Sequence, residues 1–218
     1  MTREPEGAEG RVIPEPEEIE DRLRRDYEFI VDTVPRGARV LDLGCGEGTL
    51  LKMLVDRKAV HCTGIEIVEE RVYGAVEKGL TVHHGDFYEG LSYYPDQSFD
   101  YVILSQTLQQ AHDTVAVLTE ALRVGQFVVA SFPNFAHWKP RLQLLFYGRA
   151  PVTRTLPYQW YDTPNVHSLS IRDFHIFARE QGIRIVRHFY LNKRGRVRFW
   201  PNLRAGYGVF VLERAPLS

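Results

Sequence analysis

The sequence predicts an α/β fold: a mostly parallel, seven-stranded sheet with helices on both faces and an antiparallel last strand. Three observations carry this. Five short apolar runs between Arg39 and Phe132 alternate with segments of helical periodicity, which makes βαβ units and a parallel sheet. The first run ends in a cluster of glycines, the usual junction between a strand and the helix that follows it. The final two runs, Ile183 to Phe189 and Tyr207 to Leu212, are separated only by Tyr190 to Gly206, where no helical stripe fits, so the last strand is expected to return antiparallel.

The elements follow in order. Residues 1–18 are rich in Glu, Gly and Pro and lack aromatics, and read as a disordered acidic tail; 19–218 read as one domain. From Glu17 to Val34, the apolar residues Ile19, Leu23, Tyr27, Ile30, Val31 and Val34 recur every three or four positions, a helical stripe that Pro35-Arg36-Gly37 stops. Strands are expected at Arg39–Leu43, Val60–Ile67, Leu80–His83, Phe99–Ser105 and Gln126–Phe132. Helices are expected at Gly48–Arg57, Glu69–Lys78, Thr114–Arg123 and Ser170–Gln181. The stretch 133–169 is too long for a plain connector; it holds a helix-like piece, Trp138 to Tyr147, followed by an aromatic, Pro-containing loop.

Composition narrows the function classes. The chain has 218 residues, 44% apolar and 25% charged, with a net charge of -1, so whole-chain charge points to neither nucleic acid nor membrane. No apolar run reaches the roughly 20 residues of a membrane span, and the N-terminus has no apolar core of a secretory signal. Two cysteines, Cys45 and Cys62, form neither a disulfide framework nor a four-cysteine zinc site; no metal is expected, and free thiols fit the cytoplasm.

The chemistry sits where the first strand ends. Leu41-Asp42-Leu43-Gly44-Cys45-Gly46-Glu47-Gly48 places three glycines two apart, with an acid two residues before the first. Glycines let the backbone turn and approach a ligand, and the helix start that follows offers unpaired N–H groups. A dinucleotide site would place its third glycine one residue later. A second acid, Glu66, ends the second strand twenty residues after Gly46, followed by Ile67; a third, Asp86, follows the third strand, before Phe87. A carboxylate accepts two hydrogen bonds and so suits the two hydroxyls of a ribose. Strand-terminal acids also serve as helix caps, and Cys45 reads more readily as a small buried residue than as a nucleophile.

The Asp-x-Gly-x-Gly-x-Gly string resembles motif I of class I S-adenosylmethionine (SAM) methyltransferases. That resemblance implies a Rossmann-like fold and a SAM or S-adenosylhomocysteine (SAH) site at Asp42, Gly44, Cys45, Gly46, Gly48, Glu66, Ile67, Asp86, Phe87 and Ser105. In it, Asp86 meets the adenine amino group and Phe87 packs on the ring. Downstream, Ser98 to Gln109, Ser131 to Trp138 and Leu156 to His167 are similar to the MetW family (methionine biosynthesis protein W), over about Arg24 to Leu212. The chain departs from that family at Phe87-Tyr88, where Leu-Asp is expected, and at Val68, where an Asp often follows the ribose acid. Membership implies a role in methionine biosynthesis, in partnership with homoserine O-acetyltransferase; a stand-alone methyltransferase of an unidentified small molecule is the alternative, and an RNA methyltransferase a remote one.

Methyl transfer needs in-line placement more than acid–base groups, so no catalytic residue is required by the motif. Gln106 and His112 are the candidates; His112 reads more readily as a surface or capping histidine beside Asp113 than as a general base. Asn134, His137, Trp138, Tyr158, Trp160, Tyr161 and His167, in and around the insert, are candidates for an acceptor pocket or a partner surface. From Arg184 to Arg204 there are seven Lys or Arg and no acid, interleaved with aromatics; this reads as a solvated basic loop between the last two strands, or a docking face for an acidic partner, more readily than as a nucleic-acid patch.

Overall fold

The computed structural model describes residues 26–214. The acidic tail over 1–18 and the start of the first helix lie outside them. The described chain opens with helix α1 over 26–33. It continues β1 (Arg39–Leu43), α2 (Thr49–Lys58), β2 (His61–Glu66), α3 (Glu69–Glu77), β3 (Val82–His84), α4 (Phe87–Ser92) and β4 (Phe99–Ser105). A 3-10 turn (Leu108–Gln110) leads to α5 (Thr114–Val124), β5 (Gly125–Pro133), α6 (Trp138–Tyr147) and α7 (Ile171–Glu180). The last elements are β6 (Ile183–Asn192), β7 (Gly195–Arg196), α8 (Pro201–Arg204) and β8 (Tyr207–Arg214).

All strands join one sheet in the order β3-β2-β1-β4-β5-β8-β6-β7. β1 to β5 pair in parallel, and β8 slots between β5 and β6, antiparallel to both. The expected antiparallel last strand is therefore present. The sheet has eight strands rather than seven because β6 runs on past Phe189 to Asn192 and turns into the two-residue strand β7. A strand that short carries no periodicity to read.

Side chains alternate across the sheet as the pleat requires. Val40, Ile103, Val129 and Val211 face one side, packed with Ile30 and Val31 of α1, Val34 just after it, and Leu50 and Leu54 of α2. Leu41, Leu43, Val102, Leu104, Val128 and Leu212 face the other, under α4, α5 and α7. That second core is anchored by Phe132, Phe174 and Phe210, with ring centroids 4.6 to 5.5 Å apart. Helix α7 starts on a capping box in which the Ser170 side chain accepts from Asp173 N–H and Asp173 accepts from Ser170 N–H. The strand parity has one consequence for function: Asp42, Ser105 and Ser131 fall on the same face as α1, at the carboxyl ends of β1, β4 and β5.

Candidate functional site

The loop after β1 is pinned to the end of β2. Gly44 N–H and Cys45 N–H both donate to the Ile65 carbonyl, at 2.8 and 3.2 Å. Gly46 N–H donates to Glu66 Oε2 at 2.8 Å, and Val68 N–H to Glu66 Oε1 at 2.9 Å. Two glycines have distinct reasons to be there. Gly48, the residue before α2, has φ +75°, and a Cβ on it would stand 2.3 Å from Leu80 Cδ1. Gly46 has φ +57°, and no atom lies within 4 Å of where its Cβ would be. Gly48 is required by packing; Gly46 faces open space. Cys45 is buried, and its Sγ would lie 2.5 Å from a Cβ placed on Gly64. Burial, with the nearby Asp42 and Glu66 charges, pushes its thiol well above the ordinary range. It is a packing residue, inert as a nucleophile.

Asp42 is 2% exposed, and its Oδ1 has no hydrogen-bond partner among the described residues. Burial first, then the charge of Glu66, pushes its carboxyl up to about 7. Among the described residues no cation pairs with either acid. Two buried carboxylates at adjacent strand ends, one with an orphaned oxygen, call for a ligand that brings donors or positive charge. Along the same edge, Ile67 is an apolar side chain left 61% exposed. Beyond it, Asp86 spends Oδ1 on capping α4 through Tyr88 N–H at 2.7 Å. Phe87 is half-buried, its ring centroid 4.9 Å from that of Tyr88.

The other half of the edge contains a residue that the sequence reading missed. Asp26 of α1 is 1% exposed, and burial pushes its carboxyl up to about 7, against the opposing effect of the Gln106 and Ser131 side chains. Gln106 Nε2 donates to Asp26 Oδ2 at 2.8 Å. Gln106 itself, just past β4, has φ +58°, a conformation uncommon outside glycine and typical of functional sites. Its N–H donates to the Ser131 carbonyl at 3.0 Å, and its carbonyl accepts from the Gln109 and Gln110 side chains. Among the described residues Asp26 Oδ1 and Ser105 Oγ are buried without hydrogen-bond partners, and the buried Ser131 hydroxyl lies beside Asp26 and lowers its pKa. With Asp42 they form a polar row on the α1 face of the sheet. The available signal for Asp26 was its position four before Ile30, an acid on an otherwise apolar stripe.

The insert residues divide. Asn134 is fully buried and spent on backbone: its Nδ2 donates to the Asn202 and Ala205 carbonyls at 3.0 and 2.8 Å, and its Oδ1 accepts from Ala136 N–H at 3.2 Å. It clamps the insert to α8 and does not line a pocket. His137 caps α6 by accepting from Lys139 N–H at 3.3 Å, and burial, helped by Lys139, lowers its pKa. Trp138 follows, with Lys139 Nζ 5.6 Å from its ring centroid. Tyr158, Trp160 and Tyr161 lie on the surface, the last two 75% and 72% exposed and edge to face. His167 and Val166 donate backbone N–H groups to the Gln109 carbonyl, which brings the end of the insert against the turn beside Gln106. His112 is exposed, next to the Asp113 cap of α5. Of the basic loop, Arg184 pairs with Glu213, while Arg187 and Arg196 lie over the Phe189 ring. Among the described residues there is no cluster of His, Cys, Asp or Glu able to hold a metal, and no helix long and apolar enough to cross a membrane.

This sheet order, with a glycine loop after β1 and acids at the ends of β1, β2 and β3, defines the class I SAM-dependent methyltransferase fold. A solved relative of that fold is magnesium protoporphyrin IX methyltransferase from Synechocystis PCC 6803 with bound SAH, with a TM-score of 0.63 at 20% identity, covering 91% of this chain and 86% of that one. Residues 24–212 match the family described as methionine biosynthesis protein MetW, and the chain belongs to that family. It is 37% identical over 160 residues to the bifunctional methionine biosynthesis protein MetXA/MetW of Rhodopirellula baltica, covering 69% of this chain but only 26%, about a quarter, of that protein. It is 30% identical over 189 residues to demethylmenaquinone methyltransferase of Thermobifida fusca, covering 82% of this chain and 77% of that one.

Proposed function

We propose that the chain binds SAM or SAH at the carboxyl ends of β1 to β3 and acts in methionine biosynthesis, in the cytoplasm, together with homoserine O-acetyltransferase. The orphaned Asp42 carboxylate beside the open Gly46 carries the cofactor reading. Asp42 and the loop N–H groups suit an amino-acid end that bears both an ammonium and a carboxylate. Glu66 keeps acceptor capacity for ribose hydroxyls after serving Gly46 and Val68. Exposed Ile67 and half-buried Phe87 offer apolar walls for adenine, with the second oxygen of Asp86 toward its amino group. SAM, when bound, supplies an electrophilic methyl group. Calorimetric titration with SAM tests the site: Glu66→Ala should lower affinity at least about tenfold, since bonds to a charged acceptor are each about 1.5–3 kcal/mol. Unchanged affinity would reject it.

The partnership rests on α6 and the 133–169 insert around it. Among its described contacts α6 buries only Pro140, while Leu145, Phe146 and Tyr147 stand out in water. An apolar face of that kind marks an interaction surface. A relative that carries MetXA and MetW in one polypeptide supports the same pairing. Gel filtration of the two proteins, with transferase activity measured at varied SAM, is the test.

A second reading, a stand-alone methyltransferase of a small molecule, is favoured by the buried polar row of Asp26, Ser105 and Ser131, in which Asp26 Oδ1 and Ser105 Oγ have no partner among the described residues. Label transfer from methyl-labelled SAM to a metabolite extract, by the isolated protein, distinguishes it.

A further inference from the structure

A cleft of about 510 Å³ opens beside α6, distinct from the glycine loop. Among the described residues its walls carry Lys139, Arg154, Lys193, Arg194 and Arg204 and no acid. These five cations come from four separate pieces of chain: α6, the insert loop, the β6–β7 hairpin and α8. Among the described residues, no carboxylate pairs with Lys139, Arg154, Arg194 or Arg204. Like charges do not converge for stability; in a concave site they focus potential on an anion.

Each cation-bearing piece is held in place. The Asn134 amide ties the insert to the Asn202 and Ala205 carbonyls on either side of Arg204. Asn192 Oδ1 accepts from Arg194 N–H at 2.8 Å, shaping the hairpin. Gln143 Nε2 donates to the Val152 carbonyl at 3.1 Å, fixing the loop just before Arg154. The hydroxyls of Thr153 and Thr155, 3.2 Å apart, stand in the same wall as further donors. Trp138 gives the cleft an aromatic side. The cleft lies on the carboxyl edge of the sheet by Leu191 and Tyr207, which pair across β6 and β8. β8 is three strands from β1, roughly 14 Å at about 4.8 Å per strand.

The geometry points to a second ligand site, for a small molecule bearing a diphosphate or another group of several negative charges. Three guanidinium groups suit phosphate oxygens, which they bind through paired N–H groups. Lys139, Arg154, Arg194 and Arg204 together exceed what one carboxylate neutralises, and the volume is that of a small-molecule site. The inference goes beyond the proposed function and needs neither SAM binding nor methyl transfer.

Calorimetric titration of the full chain with inorganic pyrophosphate tests it. Saturable one-to-one binding is expected, weakened about tenfold in Arg194→Ala and in Arg204→Ala. Arg71→Ala, on α3 away from the cleft, should leave it unchanged. SAM titration of the same variants should match the unsubstituted chain, so loss of this site and loss of the SAM site are read separately. Absence of saturable binding, or equal weakening by Arg71→Ala, overturns the proposal. So does binding of a single-stranded RNA oligonucleotide that pyrophosphate does not displace.

Discussion

Gln106 and Asp26, eighty residues apart in sequence, meet through a 2.8 Å hydrogen bond at the carboxyl end of β4. The bond joins a residue in a strained left-handed conformation to an acid that burial holds near neutrality. Each feature is costly alone. Together they place a titratable group where ligands of open α/β sheets bind.

Asp26 makes stability pH-dependent in the direction opposite to that of a salt-bridged acid. Its folded value, about 7, lies above the ordinary 3.8 expected when unfolded. The folded state therefore binds the proton more tightly. The stability this gives is full below the unfolded value and is lost as pH rises through the folded one. Asp26→Asn should raise the melting temperature at pH 8, each unit of difference being about 1.4 kcal/mol. The gain should shrink on going to pH 5. A gain that is flat with pH would show that Asp26 does not titrate there.

If SAM binds at Asp42 as proposed, its affinity should be pH-dependent. The Asp42 carboxyl, also pushed up to about 7, must be ionised to receive an ammonium group. Affinity should fall as pH drops from 8 to 6, and binding near pH 7 should release protons, because the bound cation favours the ionised acid. Calorimetry in two buffers of different ionisation enthalpy measures that release. Asp42→Asn should abolish the release and flatten the pH profile; release that persists in this variant would assign it to another group.

The parts of this picture that were legible in sequence are those with a repeating or chemically specific signal. β1, β4, β5 and α6 fall where apolar runs and helical spacing put them, and Asp42, Glu66 and Asp86 come out at adjacent strand ends. α4, β7 and α8 did not, since elements of two to six residues are too short for a pattern to repeat often enough to be recognised. Asn134 and Asp26 were misjudged or missed for another reason. Whether a polar side chain meets backbone carbonyls, a glutamine or a cavity is decided by segments far away in sequence, here α8 and the turn after β4.

Gly46 and Gly48 of the loop should respond differently to alanine. At Gly46 the added Cβ meets nothing, so only the left-handed backbone resists, at about 1–2 kcal/mol. The melting temperature should fall modestly while SAM affinity falls sharply, because the proposed site uses that space for the ligand's approach. At Gly48 the Cβ would overlap Leu80 and crowd Ala75 as well. Gly48→Ala should lower the melting temperature by clearly more than Gly46→Ala does. Equal losses of stability, with SAM affinity intact in both, would remove the loop from the binding site.

The exposed face of α6 separates a docking surface from an accident of composition. Leu145 and Phe146 are 73% and 71% exposed, so Leu145→Ser and Phe146→Ser remove almost no buried surface and should leave the melting temperature where it is. If α6 docks on homoserine O-acetyltransferase, the same changes remove apolar anchors. Truncating such an anchor costs about 2 kcal/mol or more, roughly thirtyfold in affinity. Co-elution on gel filtration should then be lost at micromolar protein. Tyr93, 79% exposed but at the end of α4, supplies the control: Tyr93→Ser should leave the complex intact. A complex that survives both α6 changes would place the contact elsewhere, and one that is weakened equally by Tyr93→Ser would show only a general response to lost surface hydrophobicity.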